Sequence, residues 1–338
     1  MSCTSYPVKN NEESIIVAPI DKQRGIHVFG GLDSLSLIDL ADVHSDWITL
    51  VPYAGQTDHK SPNIRYTRGD DPNSQKLRDD RWKQQINYAH QAGFKVFLKP
   101  HIWIRNPNKG KWRSDIYYAE EQDWLSWQQD YRAFILHYAT LAQEVQVEMF
   151  CVGTELTRLS IEKPEFWRQL IEEIREIYTG KLTYAANWYK EYDTITFWDE
   201  LDYIGVQAYF PLSNQDHPSL QSINQGWQKY ITKMSQLSNE FNRPLIFTEI
   251  GYKSTADAAT EPWQWIDYED DSKFIKSDST QAFAYQAIFE TVWDQSWFAG
   301  MHIWQWRGGH RDRRGRNHLD FTPQDKPAEK VIQKGFKL

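Results

Sequence analysis

Cysteine is nearly absent from this 338-residue chain, which has only Cys3 and Cys151. Two isolated thiols make neither a disulfide framework nor a cysteine-ligated metal centre. Cys151 lies in the apolar run Met149-Phe-Cys-Val-Gly153 and reads as a small core side chain. Long hydrophobic runs are missing too. No stretch approaches 18 consecutive apolar residues, so no membrane span is expected. Excess positive charge is also lacking. A net charge of −8 argues against nucleic acid or an anionic membrane as the main partner. There is no His-Glu-x-x-His zinc motif, no phosphate-binding Gly-rich loop and no Gly-x-Ser-x-Gly elbow. The ten histidines are scattered, and no metal or other cofactor is expected.

Aromatic residues are plentiful. The chain carries 16 Trp and 18 Tyr, and aromatics make up 15% of it. Rings in such number fill a large core, and some can form flat platforms that stack on sugar rings. Apolar content (40%) and charged content (25%) are ordinary for a globular protein. The opening Met1-Ser-Cys-Thr-Ser and the polar stretch to about Ile15 read as part of a flexible N-terminal segment, residues 1–24. This opening is similar to the tail of a bacterial lipoprotein signal. Cys3 would then be a lipid acceptor and the protein exported to the cell envelope. A surface cysteine in a floppy terminus fits equally well.

Eight β-rich apolar runs recur from Gly25 onward. They are 25–29, 47–52, 95–100, 149–153, 182–186, 203–208, 244–248 and 300–304. Near-continuous apolar runs are what strands buried on both faces require. Helical stripes lie between them. Trp82, Ile86 and Ala89 form one, with Asp79 or Asp80 as cap and Gly93 as stop. Trp124, Trp127, Tyr131, Phe134, Ile135 and Tyr138 form a second. Pro164 opens a third, a fourth runs from Ile223 to Leu237, and a fifth from Phe283 to Val292. This alternation predicts an α/β fold, a single (β/α)8 TIM barrel over residues 25–338. Two long loops, Tyr53–Asp80 and Tyr252–Ser279, would wall its mouth. The acidic stretch Asp267–Asp271 and the basic stretch Arg307–Arg316 read as solvated loops. A monomer is the expected state.

Two glutamates stand at strand ends. Glu155 closes the fourth run and Glu249 the seventh, so both would face one barrel mouth. A buried carboxylate costs free energy unless it is paired or used. Each alone could be the structural partner of a nearby Arg or Lys. Together they suit glycoside hydrolysis, in which one carboxylate attacks and the other shuttles a proton. With one of the pair neutral and the other ionised, a bell-shaped rate profile on the acidic side of neutral is expected. Other strand ends offer His101 and Trp103, Asn187 and Trp188, Tyr209, and Trp304 with Trp306. Trp306 reads as core-facing.

Val152-Gly-Thr-Glu155-Leu, Phe247-Thr-Glu249-Ile-Gly-Tyr, Ile303-Trp-Gln-Trp306 and the closing run Asp320-Phe-Thr-Pro-Gln-Asp-Lys-Pro-Ala-Glu-Lys330 resemble glycoside hydrolase clan A. Within it the chain most resembles family 113, whose known members are chiefly β-1,4-mannanases. The resemblance covers about Gly25 to Gly335. It implies that Glu155 is the acid/base and Glu249 the nucleophile of a retaining enzyme. It implies that Tyr209 hydrogen-bonds the nucleophile and that Trp304 floors the cleavage subsite, lined by Trp188 and His101. Many clan A families place Asn directly before the acid/base, where this chain has Thr154. Asn187 is the candidate to supply the missing amide. The implied partner is a polysaccharide or oligosaccharide, most simply β-1,4-mannan. Another β-linked glycan, such as a β-glucan or a glucosamine polymer, stays open, as does a glycan-binding barrel without catalysis.

Overall fold

The computed structural model describes residues 21–66, 72–108, 110–267, 269–309 and 319–338. Cys3, the first 20 residues and most of the basic stretch lie outside them. Eight parallel strands close a barrel. In chain order these are β1 (Gln23–Phe29), β2 (Trp47–Leu50), β5 (Lys95–Leu98), β7 (Met149–Thr154), β8 (Lys181–Asn187), β9 (Tyr203–Gln207), β10 (Leu245–Ile250) and β11 (Phe298–Arg307). All eight coincide with the apolar runs. β1 pairs with both β2 and β11, which closes the cylinder.

The second and third runs do not end where they were expected to. Pro52 and Pro100 interrupt them, because proline has no N–H for the ladder. Beyond these prolines the chain bends into a small separate sheet of β3 (Tyr53–Gln56), β4 (Ile64–Arg65) and β6 (His101–Ile104). Tyr53 pairs with His101 in that sheet, so both are fixed beside the barrel mouth. The expected loop from Tyr53 is thus largely ordered.

The helices are α1 (Ser34–Asp42), α2 (Pro72–Gln91), α3 (Glu121–Glu144), α4 (Thr157–Glu162), α5 (Pro164–Ile177), α6 (Leu220–Phe241), α7 (Asp278–Thr291) and α8 (Pro327–Gly335). α2 begins at Pro72, two turns before the expected cap at Asp79 or Asp80. Its first turns are polar and carry an exposed Leu77, so no apolar stripe marks them. The β8–β9 crossover carries only a 3-10 turn at Trp198–Glu200, whereas β7 and β8 are joined by two helices. The stripe of α3 is buried as its 3.6-residue period requires. Ser219 and Ser277 cap α6 and α7 through their side chains, and Asn242 ends α6 in the left-handed region.

Alternate residues of each strand point into the barrel. Trp47, Phe97, Met149, Cys151, Ala185, Ile246 and Ala299 pack as one buried cluster separate from the large outer core. A polar layer adjoins it. His302 bonds the Thr49 hydroxyl at 2.7 Å and Gln23 Oε1 at 2.9 Å, so its Nε2 carries the proton and its Nδ1 accepts. Gly25 makes room for this ring, since a Cβ there would lie 2.1 Å from it.

Burial, reinforced by the Lys99 charge, holds His27, His101 and His302 well below the usual histidine range. Below about pH 6.5 the unfolded chain binds protons that these folded-state rings refuse. Stability therefore falls as pH falls, by up to about 1.4 kcal/mol per pH unit for each ring. In urea unfolding at pH 6.5 and 5.5, His302→Gln should lose less stability between the two than the parent. Equal losses would show that His302 does not contribute.

Candidate active site

The barrel mouth opens into a cavity of about 1100 Å³. Glu155 and Glu249 both line it, together with His101, Asn187, Trp188, Tyr209 and Trp304. All seven residues singled out in the sequence thus meet in one place. Trp306, read as core-facing, is buried in the outer core.

Glu249 lies within β10 and is almost fully buried. Its Oε2 accepts from Lys99 Nζ at 2.7 Å and from Gln207 Nε2 at 3.0 Å. Its Oε1 accepts from the Tyr209 hydroxyl. Three donors suit a carboxylate, which only accepts; a protonated acid would set its own O–H against one of them. Lys99 also reaches Gln207 Oε1 and the Thr248 carbonyl, so its ammonium is saturated inside the barrel. Tyr209 is held protonated, first by burial and then by the Glu249 charge, and stays a donor. His27 approaches Glu249 Oε2 at 3.9 Å from below, as a neutral ring.

Glu155 is placed differently. It follows β7 in the left-handed region (φ 53°), uncommon for a residue with a Cβ. That turn redirects its side chain from the strand. Its N–H still bonds the Ala185 carbonyl at 2.9 Å. Gly153, two residues earlier, lets Trp167 and Tyr184 pack against the strand, since a Cβ there would lie 2.7 Å from both rings. Glu155 Oε2 accepts from Arg113 Nε at 2.9 Å and from Trp112 Nε1 at 3.4 Å. Its Oε1 makes no hydrogen bond among the described residues. Arg113 also bonds the Ile102 carbonyl and lies over the Trp112 ring.

Thr154 is buried beside Cys151 and offers no amide to the cavity. Asn187 borders the cavity, but its amide donates to Thr157 Oγ1 at 3.0 Å. Arg113 and Trp112 are the groups that contact Glu155. Sequence reading missed both, as it missed Lys99 and Tyr53, because none sits in a motif. A lysine inside an otherwise apolar run was the one available signal for Lys99.

The remaining walls are aromatic. Trp188 stacks on Trp263, with centroids 5.1 Å apart, and Trp265 meets Trp304 edge-on. Trp103 and Trp112 meet edge-on, with centroids 5.7 Å apart, on another side. Trp263 and Trp265 come from the long segment after β10. Its acidic stretch folds back, with Asp267 pairing Lys273. Among the described residues neither ring nitrogen of His101 nor Nε1 of Trp304 has a hydrogen-bond partner. Among the described residues no group of three metal-ligating side chains occurs. None of their helices is long and apolar enough to cross a membrane.

The profile of Glycoside Hydrolase Family 113 matches residues 32–326. The chain belongs to this family. It is therefore a glycoside hydrolase, as the paired carboxylates suggested. Among solved structures it is similar to a family-113 β-1,4-mannanase, at TM-score 0.78 and 26% identity, covering 94% of this chain and 99% of the other. It is equally similar to the family-113 β-mannanase AaManA of Alicyclobacillus acidocaldarius, at 0.78 and 27%, covering 94% and 98%. A β-glucuronidase of Ruminococcus gnavus shares only the fold, at 0.60 and 10% identity over half its length. No curated protein sequence matches the chain.

Buried Lys99 is accommodated by its ion pair with Glu249. Removing one partner of a buried pair strands the other charge. Lys99→Met should cost about 3–5 kcal/mol in urea unfolding, and adding Glu249→Gln should recover much of that loss. A loss under about 1 kcal/mol would mean that the pair is not desolvated.

Proposed function

We propose that the chain is a retaining β-1,4-mannanase with Glu249 as nucleophile and Glu155 as acid/base. The observation that carries this is the contrast between two buried carboxylates in one cavity. Glu249 has three donors that hold an acceptor-only carboxylate in place. Glu155 keeps one oxygen free towards the cavity.

In the first step Glu249 attacks the anomeric carbon, and the glycosidic bond breaks. Its oxygen leaves with a proton from Glu155. In the second step Glu155 takes a proton from water, and that water displaces Glu249. Tyr209, Gln207 and Lys99 aim the nucleophile throughout. Trp304 supplies the floor under the reacting sugar, and its indole N–H and the His101 ring nitrogens have no hydrogen-bond partner among the described residues. Trp188 lines the same subsite. The sugar 2-hydroxyl contact, which the missing amide beside Glu155 would make, is assigned to Asn187, which borders the cavity and keeps a second amide hydrogen besides the one given to Thr157.

Mannan as substrate is supported by the similar structures, which are β-mannanases of the same family. Aromatic surfaces on more than one side of the carboxylates support binding of several sugars and cleavage within a chain. A location at the cell envelope through a lipid on Cys3 belongs to the same proposal and rests on the opening residues alone.

Hydrolysis of mannan, β-glucan, xylan and chitosan, with product sizes and anomeric configuration followed by NMR, tests the reading. The expected result is rapid cleavage of mannan to short oligosaccharides with retained β-configuration. Glu249→Ala should abolish turnover, and Glu155→Ala should slow it about 10²–10⁴-fold. Inverted product, or ordinary activity in Glu249→Ala, would overturn the mechanism. Preference for another glycan would replace only the substrate, and inactivity on all four would favour a binding barrel.

A further inference from the structure

Glu191 is a third buried carboxylate near the site, and the mechanism does not use it. It is fully buried, outside the cavity wall, and has no cationic partner among the described residues. Four donors converge on it. The Tyr184 hydroxyl and Ser160 Oγ each donate to Oε1 at 2.7 Å. The Asn187 backbone N–H donates to Oε2 at 2.7 Å, and Thr157 Oγ1 does so at 2.9 Å.

Two of these donors lead directly to the site. Tyr184 accepts from the backbone N–H of Leu156, the residue after Glu155, at 2.8 Å. Thr157 accepts from the Asn187 amide at 3.0 Å. One carboxylate thus joins the turn after β7, the start of α4 and the end of β8. Glu155, Thr157 and Asn187 all border the cavity from these segments.

Charges on the surrounding elements are engaged elsewhere. Lys190 lies over Tyr189, and Asp193 pairs with Lys233. Arg158 of α4 pairs with Glu162, and Arg168 of α5 with Asp199 and Glu200. Glu155 turns to Arg113. Burial therefore pushes the Glu191 carboxyl up to about 7, although all four hydrogen bonds oppose the shift. A position that served only packing would be filled at lower cost by an apolar side chain. The left-handed conformation of Glu155 also needs its neighbours held to persist.

We propose that Glu191 is a positioning residue that locks the Glu155 turn to the end of β8, holding the acid/base against the leaving-group oxygen. This rests on Glu155 being the acid/base. A displaced acid/base slows steps that move a proton and spares those that do not.

The test compares the parent chain with Glu191→Gln, Glu191→Leu and Tyr184→Phe. Tyr184→Phe cuts the link to Leu156 while keeping the ring, should either Glu191 variant fail to fold. Each is assayed on a mannooligosaccharide, whose leaving group needs protonation, and on a 2,4-dinitrophenyl β-mannoside, whose leaving group does not. For folded variants, kcat on the oligosaccharide should fall at least about 30-fold, with KM within about threefold. The burst of dinitrophenolate, which reports the first step, should stay within about threefold. Azide attacks the anomeric carbon and displaces Glu249 without a base, so it should restore steady turnover of the aryl substrate. Equal slowing of both substrates, or no slowing of either, would overturn the proposal. A parent chain inactive on the oligosaccharide yet active on another glycan moves the comparison to that glycan. A parent inactive on every glycan defeats the functional reading and this inference with it.

Discussion

The upper half of the barrel is organised around one buried ion pair, Lys99 with Glu249. Both partners are nearly free of solvent, and the ammonium is shared with Gln207 and the Thr248 carbonyl. Such a pair is a poor way to gain stability, because desolvating two charges offsets much of their attraction. Its effect is to place an ammonium and a carboxylate side by side inside the cylinder, next to the buried histidines. His27, His101 and His302 are all kept neutral partly by the ammonium. Tyr209 is kept protonated by burial and by the carboxylate on the other side of the pair. Burial sets the protonation of this layer first, and the Lys99 charge reinforces it at the three histidines.

The two carboxylates of the site differ because the backbone presents them differently. Glu249 projects from a strand, so neighbouring strands deliver its partners: Lys99 follows β5 and Gln207 ends β9. Glu155 sits one residue past its strand, in a left-handed turn, and is met by Arg113 and Trp112 from the loop before α3. A residue in a sheet inherits rigidity from the ladder. A residue in a turn needs its neighbours tied, and the hydrogen bonds that converge on Glu191 hold the segment after it. The family relationship agrees with this division, since the barrel accounts for the shared fold and the site lies at its strand ends.

Much of this was legible in the residues. Eight apolar runs marked the eight barrel strands, because a strand buried on both faces leaves no room for polar alternation. The five long helices showed through their stripes, while α1, α4 and α8, of nine residues or fewer, were not read as helices. The polar start of α2 was invisible because it carries no apolar stripe and makes its contacts through polar side chains such as Gln75 and Asp79. The small sheet after Pro52 and Pro100 was read as a loop and as residues past a strand end, since its strands are four residues or fewer and β4 is only two. Seven site residues were found at strand ends. Tyr53, Lys99, Trp112, Arg113 and Glu191 were missed, because each acts through neighbours distant in the chain.

By itself, then, the sequence determined the barrel, the positions of the two glutamates and the family to which the chain belongs. These are carried by local pattern: runs of buried strand, and short motifs at their ends. Only the tertiary structure decided which donors each glutamate meets, that the Asn187 amide is engaged by Thr157, and that a third carboxylate lies behind the turn. Closing a barrel brings strand ends together across 94 residues of chain between Glu155 and Glu249 (249 − 155 = 94). No linear spacing encodes which side chains then come within hydrogen-bond reach, because that depends on register, twist and loop path around the whole cylinder.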